Sequence, residues 1–399
     1  MNRLIIGIFV IACAAPLFAQ QNQVPVINNT VPRNGNAPYA EIKLLQTIPT
    51  YDDAGKYGIN MVYDFAVDNN ANLYVVSRDE NNITVFDRDG KYVRTVGRKG
   101  QGPGEFQSPY NIAIKDNEMH VFQRSGSLVQ VLDLQGKYIR KITVPGGGNY
   151  DFIYFYGEYY LTSNIKFNIF NISEGNRRAL VGGNPEFYVS VEMRDKNFKM
   201  IRDIVSVQQK DIKDDRLSTQ HSNILSGSNI DKYIYFPQNT DKYEITKYDL
   251  DGNALLTFTR KYKQIPFSKP VRDYKERLKE WWIDYYDKQG APQNMRSPYL
   301  TDPSERPWVI RKILIDEKQN VWILAGEWSA DADFEVTVEA TLDIFGPDGT
   351  YLASQKTSAV TYRTVIKNGR LYSLFRISSP IAKDISEGIK VYEIKYKER

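Results

Sequence analysis

The sequence predicts an all-β chain: a six-bladed propeller of four-stranded blades, closed by an N-terminal strand and carrying one helical insertion between blades 4 and 5. Three observations predict it. A glycine turn recurs along the chain, an alternating apolar pattern recurs upstream of it, and the first two turns lie 46 residues apart. Fixed periods of about 40–50 residues with four strands per unit mark propeller blades.

The turn reads DRDGKYVR at 87–94, DLQGKYIR at 133–140, DLDGNALL at 249–256 and GPDGTYLA at 346–353. A fifth copy, RDKNFKMI at 194–201, aligns with Lys196 in the glycine place. Each copy separates two apolar runs, as in a β-hairpin whose glycine supplies a positive φ. Upstream, FAVDNNANLYVV (65–76) matches ILIDEKQNVWIL (313–324) in apolar spacing, with shorter forms at 112–122, 152–161 and 364–375. Each unit therefore reads as four short strands. The third unit is the weakest, because residues between Thr162 and Phe187 show no clear pattern.

The turn positions are then 90, 136, 196, 252 and 349, and the last gap of 97 would hold a further blade. Residues 261–308 read otherwise. Val271, Tyr274, Leu278, Trp282 and Tyr285 stand at helical spacing, Ser268 and Pro270 suit a helix start, and Gly290 suits its end. This segment is predicted to be a helical insertion. The sixth unit, 358–397, ends on a third strand, IKVYEIKY, and EIKLLQTI at 41–48 supplies the missing fourth. That pairing closes the ring and leaves no exposed sheet edge there. The propeller is placed over residues 39–399.

Residues 1–19 read as a secretory signal peptide, with an arginine, an apolar run and cleavage after Ala19. The apolar run is interrupted by proline and too short to span a bilayer. Val10-Ile11-Ala12-Cys13 also resembles a bacterial lipobox, which would attach the chain to a membrane through Cys13. Apolar residues continue past it to Phe18, which favours plain export to the periplasm or beyond. Cys13 is the sole cysteine, so the mature chain has no disulfide, thiolate metal site or cysteine nucleophile. Residues 20–38 are polar with three prolines and read as a flexible leader, whose deletion should do little.

Lysine and arginine total 52 against 48 acids, a balance that does not suggest nucleic-acid binding. The stretch GRKGQGPGEF (97–106) has the glycine density of a phosphate cradle. A cradle needs a following helix, yet QSPYNIAIKDNEMHVF continues as strand, and Gly100, Gly102 and Gly104 run GxGxG. The stretch therefore reads as the crossing from blade 1 to blade 2, with Phe106 tucked between them. Here FDRDGKYVRTVGRKGQGPGEFQSPYNIAI closely resembles the NHL-type repeat of bacterial six-bladed β-propellers. The resemblance is strong over 60–145, weaker over 308–397 and faint over 150–222.

The resemblance implies a fold that hosts many activities. Relatives by fold include calcium-dependent lactonases, a zinc-dependent lyase and propellers that bind protein or RNA. The lyase type uses three histidines, and this chain has only His120 and His221. The lactonase type holds calcium with oxygen-bearing side chains in the central channel. The residue just before each inner strand's apolar core is Asp64, Asn111, Asp151, Lys312 and Arg363 on blades 1, 2, 3, 5 and 6, with Asn223 on blade 4 in a poor register. Asp64, Asn111 and Asp151 would suit calcium. Lys312 and Arg363 weaken a cation site and would suit an anionic ligand, while a merely polar, hydrated channel explains the same residues. The helix is aromatic-rich. Its face of Val271, Tyr274, Leu278 and Trp282 is predicted to pack on the propeller, leaving Trp281 and Tyr286 for a partner. The resulting expectation is an exported, monomeric binding or scaffold module of the bacterial envelope, recognising an unknown protein, peptide or small molecule. A calcium-dependent lactonase or hydrolase is the alternative, with no catalytic residue assigned.

Overall fold

The computed structural model describes residues 24–35, 37–49, 59, 62–77, 79–123, 127–144, 153–167, 187–209, 232–237, 242–263, 268–290, 309–325, 340–361, 363–377 and 386–397. Residues 1–19, with Cys13 among them, and Asp151, His221 and Asn223 lie outside the described residues.

Two N-terminal strands come first, β1 (Val26–Asn29) and β2 (Ala40–Pro49). Blade 1 is β3 (Val62–Val67), β4 (Leu73–Ser77), β5 (Asn82–Phe86) and β6 (Tyr92–Val96). Blade 2 is β7 (Pro109–Lys115), β8 (Glu118–Gln123), β9 (Leu128–Asp133) and β10 (Tyr138–Thr143). Blade 3 is β11 (Ile153–Tyr156), β12 (Tyr159–Phe167), β13 (Phe187–Arg194) and β14 (Met200–Gln209). Blade 4 contributes β15 (Ile234–Pro237), β16 (Glu244–Tyr248) and β17 (Ala254–Arg260), followed by the helix α1 (Lys269–Lys288). Blade 5 is β18 (Ile310–Ile315), β19 (Val321–Ala325), β20 (Ala340–Phe345) and β21 (Tyr351–Thr357). Blade 6 is β22 (Thr364–Lys367), β23 (Arg370–Ile377) and β24 (Ser386–Tyr396).

Within each blade, consecutive strands pair antiparallel in chain order. The first strands of neighbouring blades touch one another, β3 with β7, β7 with β11, β18 with β22 and β22 with β3. They therefore line the inside of the ring. β2 is the fourth strand of blade 6, paired with β24 from Ala40↔Tyr396 to Pro49↔Gly388. The closure by residues 41–48 is thus present.

The core lies between the blades. One apolar cluster joins Val76, Ile83 and Val96 of blade 1 to Ile112, Val121 and Leu132 of blade 2. Another joins Trp322 and Leu324 of blade 5 to Ile366 and Leu371 of blade 6. Each such side chain contributes about 1.5–3 kcal/mol on full burial, so the joints hold much of the stability. Phe106 is wholly buried in the joint between blades 1 and 2, as the sequence predicts.

The recurring turn has a common skeleton. The Asp87 carboxylate accepts the N–H groups of Asp89 and Lys91, both at 2.9 Å. Asp133, Asp195 and Asp249 do the same in blades 2, 3 and 4. This fixes the register of the third blade and corrects the sequence alignment. The residue in the glycine place is Phe198, with φ +64°, and not Lys196. A bulky residue with positive φ is an outlier that packing must sustain. The glycines have a second reason to be small. A Cβ on Gly136 would stand 2.8 Å from Val96 on the outer strand of blade 1, and one on Gly252 would stand 3.0 Å from the Ile204 carbonyl of blade 3. Phe198 instead fills the joint between blades 2 and 3, against Phe122 and Tyr160.

The leader differs from expectation. Residues 26–29 form β1, which pairs parallel with β17 on the outside of blade 4. By its turns, β17 corresponds to the fourth strand of the other blades, so β1 is an extra outer strand. The sequence hides it because the strand is four residues long and flanked by prolines.

The insertion is helical as predicted, with Ser268 as N-cap, Pro270 in the first turn and Gly290 at φ +63° just beyond its end. Trp281, Trp282, Tyr285 and Tyr286 form an aromatic cluster along it. Trp281 stacks on Tyr285 at 5.3 Å and Trp282 on Tyr286 at 5.6 Å; of these four, Tyr285 is exposed and the others, both tryptophans among them, are half-buried. The side chains of Val271 and Tyr274 lie outside what the structure describes. No helix among the described residues is long and apolar enough to cross a membrane.

Candidate functional site

A repeated irregularity builds the site. The register of β3 on β4 shifts between Val62 and Asp64. The same shift falls between Pro109 and Asn111 on β7, and between Ile310 and Lys312 on β18. Each is a bulge one residue before the candidate, and bulges re-aim the side chain that follows. On blade 6 the Arg363 carbonyl accepts the Leu374 N–H at 3.0 Å in the equivalent place.

Asp64 contacts both Asn111 and Arg363, and Lys312 is close enough to feel the charges of Asp64 and Arg363. Asp64 is 1 % exposed and Lys312 0 %. Asp64 Oδ1 accepts the Phe65 N–H at 2.6 Å and pairs with the Arg363 guanidinium. Its Oδ2 accepts Asn111 Nδ2–H at 3.0 Å and the Ile112 N–H at 3.1 Å. A carboxylate offers about four acceptor positions, and all four are engaged. Asp64 thus ties blade 1 to blade 2 and to blade 6. Glu387 of blade 6 adds a second tie, accepting the Val62 N–H at 2.7 Å.

Burial pushes the Asp64 carboxyl up from its ordinary value, opposed by Arg363, Asn111 and the two N–H groups. Burial also pushes the Lys312 ammonium well down, helped by Arg363 and opposed by Asp64. Calcium takes oxygen ligands, and in this structure the Asp64 oxygens are already taken by protein donors. Its pairing with Arg363 is a further electrostatic cost to a cation. These two features weigh against calcium at Asp64 and Asn111, and Asp151, the third residue expected to hold it, lies outside the described residues.

His120 on β8 is buried between blades 2 and 3. Its Nδ1 is 2.9 Å from the Tyr160 hydroxyl, and its Nε2 is 3.2 Å from Glu118. Glu118 in turn takes both guanidinium nitrogens of Arg140 at 2.8 Å. Burial lowers the imidazole to about 4, with Glu118 opposing. His120 thus sits as a hydrogen-bonded residue at a joint between blades.

The GRKGQGPGEF loop supplies its own anion. Glu105 Oε2 accepts the Gly102 N–H at 3.0 Å, and Oε1 pairs with Arg98 at 2.9 Å. The N–H contacts and Arg98 hold the Glu105 carboxyl below its ordinary value. A Cβ on Gly100 would stand 2.1 Å from that carboxylate, so glycine makes room for the glutamate rather than for a phosphate.

Sequence reasoning missed two polar centres. Asp343 on β20 is fully buried and takes Tyr243 and Tyr351 hydroxyls at 2.8 Å, Ser354 at 2.7 Å, and Arg260. It joins blades 4 and 5, and no local motif marks it because Tyr243 and Arg260 are distant in sequence. Asn29, on β1, is the second.

A family model described as a 6-bladed beta-propeller, DUF5128, matches residues 59–287. No curated relative matches the chain. Among solved structures, a DUF4221-family protein from Bacteroides vulgatus is 11 % identical with TM-score 0.47, covering 90 % of this chain and 99 % of its own. The PQQ-bound aldose sugar dehydrogenase from Streptomyces coelicolor is 13 % identical with TM-score 0.44, covering 90 % and 99 %. A calcium-binding protein, regucalcin, from Agrobacterium tumefaciens is 10 % identical with TM-score 0.37, covering 94 % and 99 %.

Proposed function

Because the chain belongs to DUF5128, a family of six-bladed β-propellers, we propose that it is a non-catalytic binding module, exported to the bacterial envelope, in which the propeller serves as a rigid scaffold. One observation carries this reading. The carboxylate of the candidate site accepts four protein donors from blades 1, 2 and 6. A hydrolytic site needs an acid, a base or a metal ligand that can reach substrate. Asp64 is instead consumed by the joint that closes the ring. The finer NHL-type assignment rests on the sequence of blades 1 and 2 and supports the same class of protein. Export rests on the signal-peptide pattern of residues 1–19.

The test has two arms. The purified chain should hydrolyse lactones no faster than buffer, with or without calcium, and the full-length chain should fractionate with the envelope or medium of a bacterial host. Calcium-dependent turnover that disappears in Asp64→Asn overturns the non-catalytic reading. Uncleaved chain confined to the cytosol overturns export.

A further inference from the structure

The outer edge of blade 4 is covered by a segment from the far end of the chain. β1 pairs parallel with β17 from Val26↔Thr257 to Asn29↔Arg260. The Thr257 N–H reaches the Pro25 carbonyl at 2.8 Å, and the Lys261 N–H reaches the Asn29 carbonyl at 3.1 Å. Such an edge, when bare, presents a row of unpaired backbone groups that an extended peptide can extend.

The segment is also read by its side chains. Asn29 Nδ2 donates to the Thr259 carbonyl at 3.1 Å and to the Gly349 carbonyl at 3.0 Å, and its Oδ1 accepts the Tyr351 N–H at 3.1 Å. One side chain therefore spans blades 4 and 5. Ile27 lies two residues earlier, on the same face of the strand. It packs against the core and beside Gly349, where a Cβ would stand 3.3 Å from it. Val26, on the other face, is 57 % exposed. Beyond β1, Arg33 and Asn34 donate their N–H groups to Tyr351 and Leu352 of β21. Asn28 Oδ1 accepts the Thr259 hydroxyl at 2.8 Å, so anchorage rests on backbone pairing and on three side chains of a four-residue strand, which is the economy of a bound peptide rather than of a core strand.

We propose that the outer edge of β17 is a peptide-binding site, held in the cis state by the chain's own residues 26–29. Its ligand is an extended segment that pairs parallel and carries a branched apolar residue two positions before an asparagine. A partner presenting such a segment competes with the arm for the edge. This inference is independent of whether the channel is catalytic.

The probe is a fluorescent peptide of the sequence VPVINNTV, residues 24–31. Its anisotropy is titrated with the intact mature chain and with a variant lacking residues 20–30. The variant should bind it at least about tenfold tighter, and replacing the peptide's second asparagine by alanine should weaken binding about tenfold, as for the loss of one good hydrogen-bonded contact. Equal binding to the two proteins, or no effect of the alanine, overturns the proposal. A second measurement stands if the variant fails to fold. In intact Asn29→Ala, hydrogen exchange at the Thr257 and Lys261 amides should accelerate, and unchanged exchange overturns the proposal equally.

Discussion

Asp64 on blade 1 and Arg363 on blade 6 form an ion pair across the joint at which the ring closes. Both are largely buried, and removing one partner of such a pair leaves the other charge without compensation. Arg363→Met is expected to cost about 3–5 kcal/mol of stability. The double variant Asp64→Asn/Arg363→Met should recover part of that loss. Urea unfolding of the three proteins measures it, and additive losses would show that the two residues do not act as a pair.

The turn glycines are set by backbone angle and by a neighbouring blade at once. Gly136 has φ +97° and its added Cβ would meet Val96 at 2.8 Å. Gly136→Ala should therefore cost at least the roughly 1–2 kcal/mol of a left-handed alanine. Phe198→Ala, at the equivalent turn of blade 3, should cost about 3–5 kcal/mol, because it empties a wholly buried site. Melting curves decide whether the two turns differ in this way.

The N-terminal arm is expected to matter, contrary to the sequence reading of a dispensable leader. Deleting 20–38 removes β1 and bares the blade 4 edge, so the melting temperature should fall. Deleting 41–48 removes the fourth strand of blade 6 and the ring closure with it, so its effect should be larger and include aggregation. Light scattering during a thermal ramp separates the two.

Acid should weaken the fold through His120. Its folded value is about 4 against 6.5 for a free imidazole, so the unfolded chain binds the extra proton between those values. This contribution is present above pH 6.5 and is lost as pH falls toward 4. The linked change is about 3 kcal/mol over that window. His120→Asn keeps a polar atom near Tyr160 and should flatten the pH dependence of the melting temperature between 6.5 and 4.

Trp281 and Trp282 each stack on a tyrosine one helical turn away. Their replacement by alanine should cost similar amounts, about 0.5–1.5 kcal/mol each in lost aromatic pairing. A loss several times greater at Trp282 would support the docked face that helical spacing alone suggests.

Much of the fold was legible because its punctuation is chemical. Asp87, Asp133 and Asp249 carry the same turn, and the spacing of those turns gives the blades. The ring closure was legible because blade 6 lacks a strand that EIKLLQTI supplies. The channel candidates followed from register, and the structure brings Asp64, Asn111, Lys312 and Arg363 together. Their role was not legible, because the saturation of Asp64 depends on the Phe65 and Ile112 amides, which sequence does not reveal. The third turn was misaligned because Phe198 takes a conformation that sequence reasoning reserves for glycine. β1 escaped notice because its partner strand lies about 230 residues away, as the contact of Asn29 with Thr259 shows.

The most direct measurement is calorimetric titration of calcium into the wild-type chain, Asp64→Asn and Arg363→Met, with melting curves in calcium and in chelator. If Asp64 is a joint between blades, the wild type gives no stoichiometric heat and no calcium-dependent shift in melting temperature, while both variants melt lower in either buffer. Stoichiometric calcium binding to the wild type that is abolished in Asp64→Asn would contradict this, and would return the channel to a metal-dependent site.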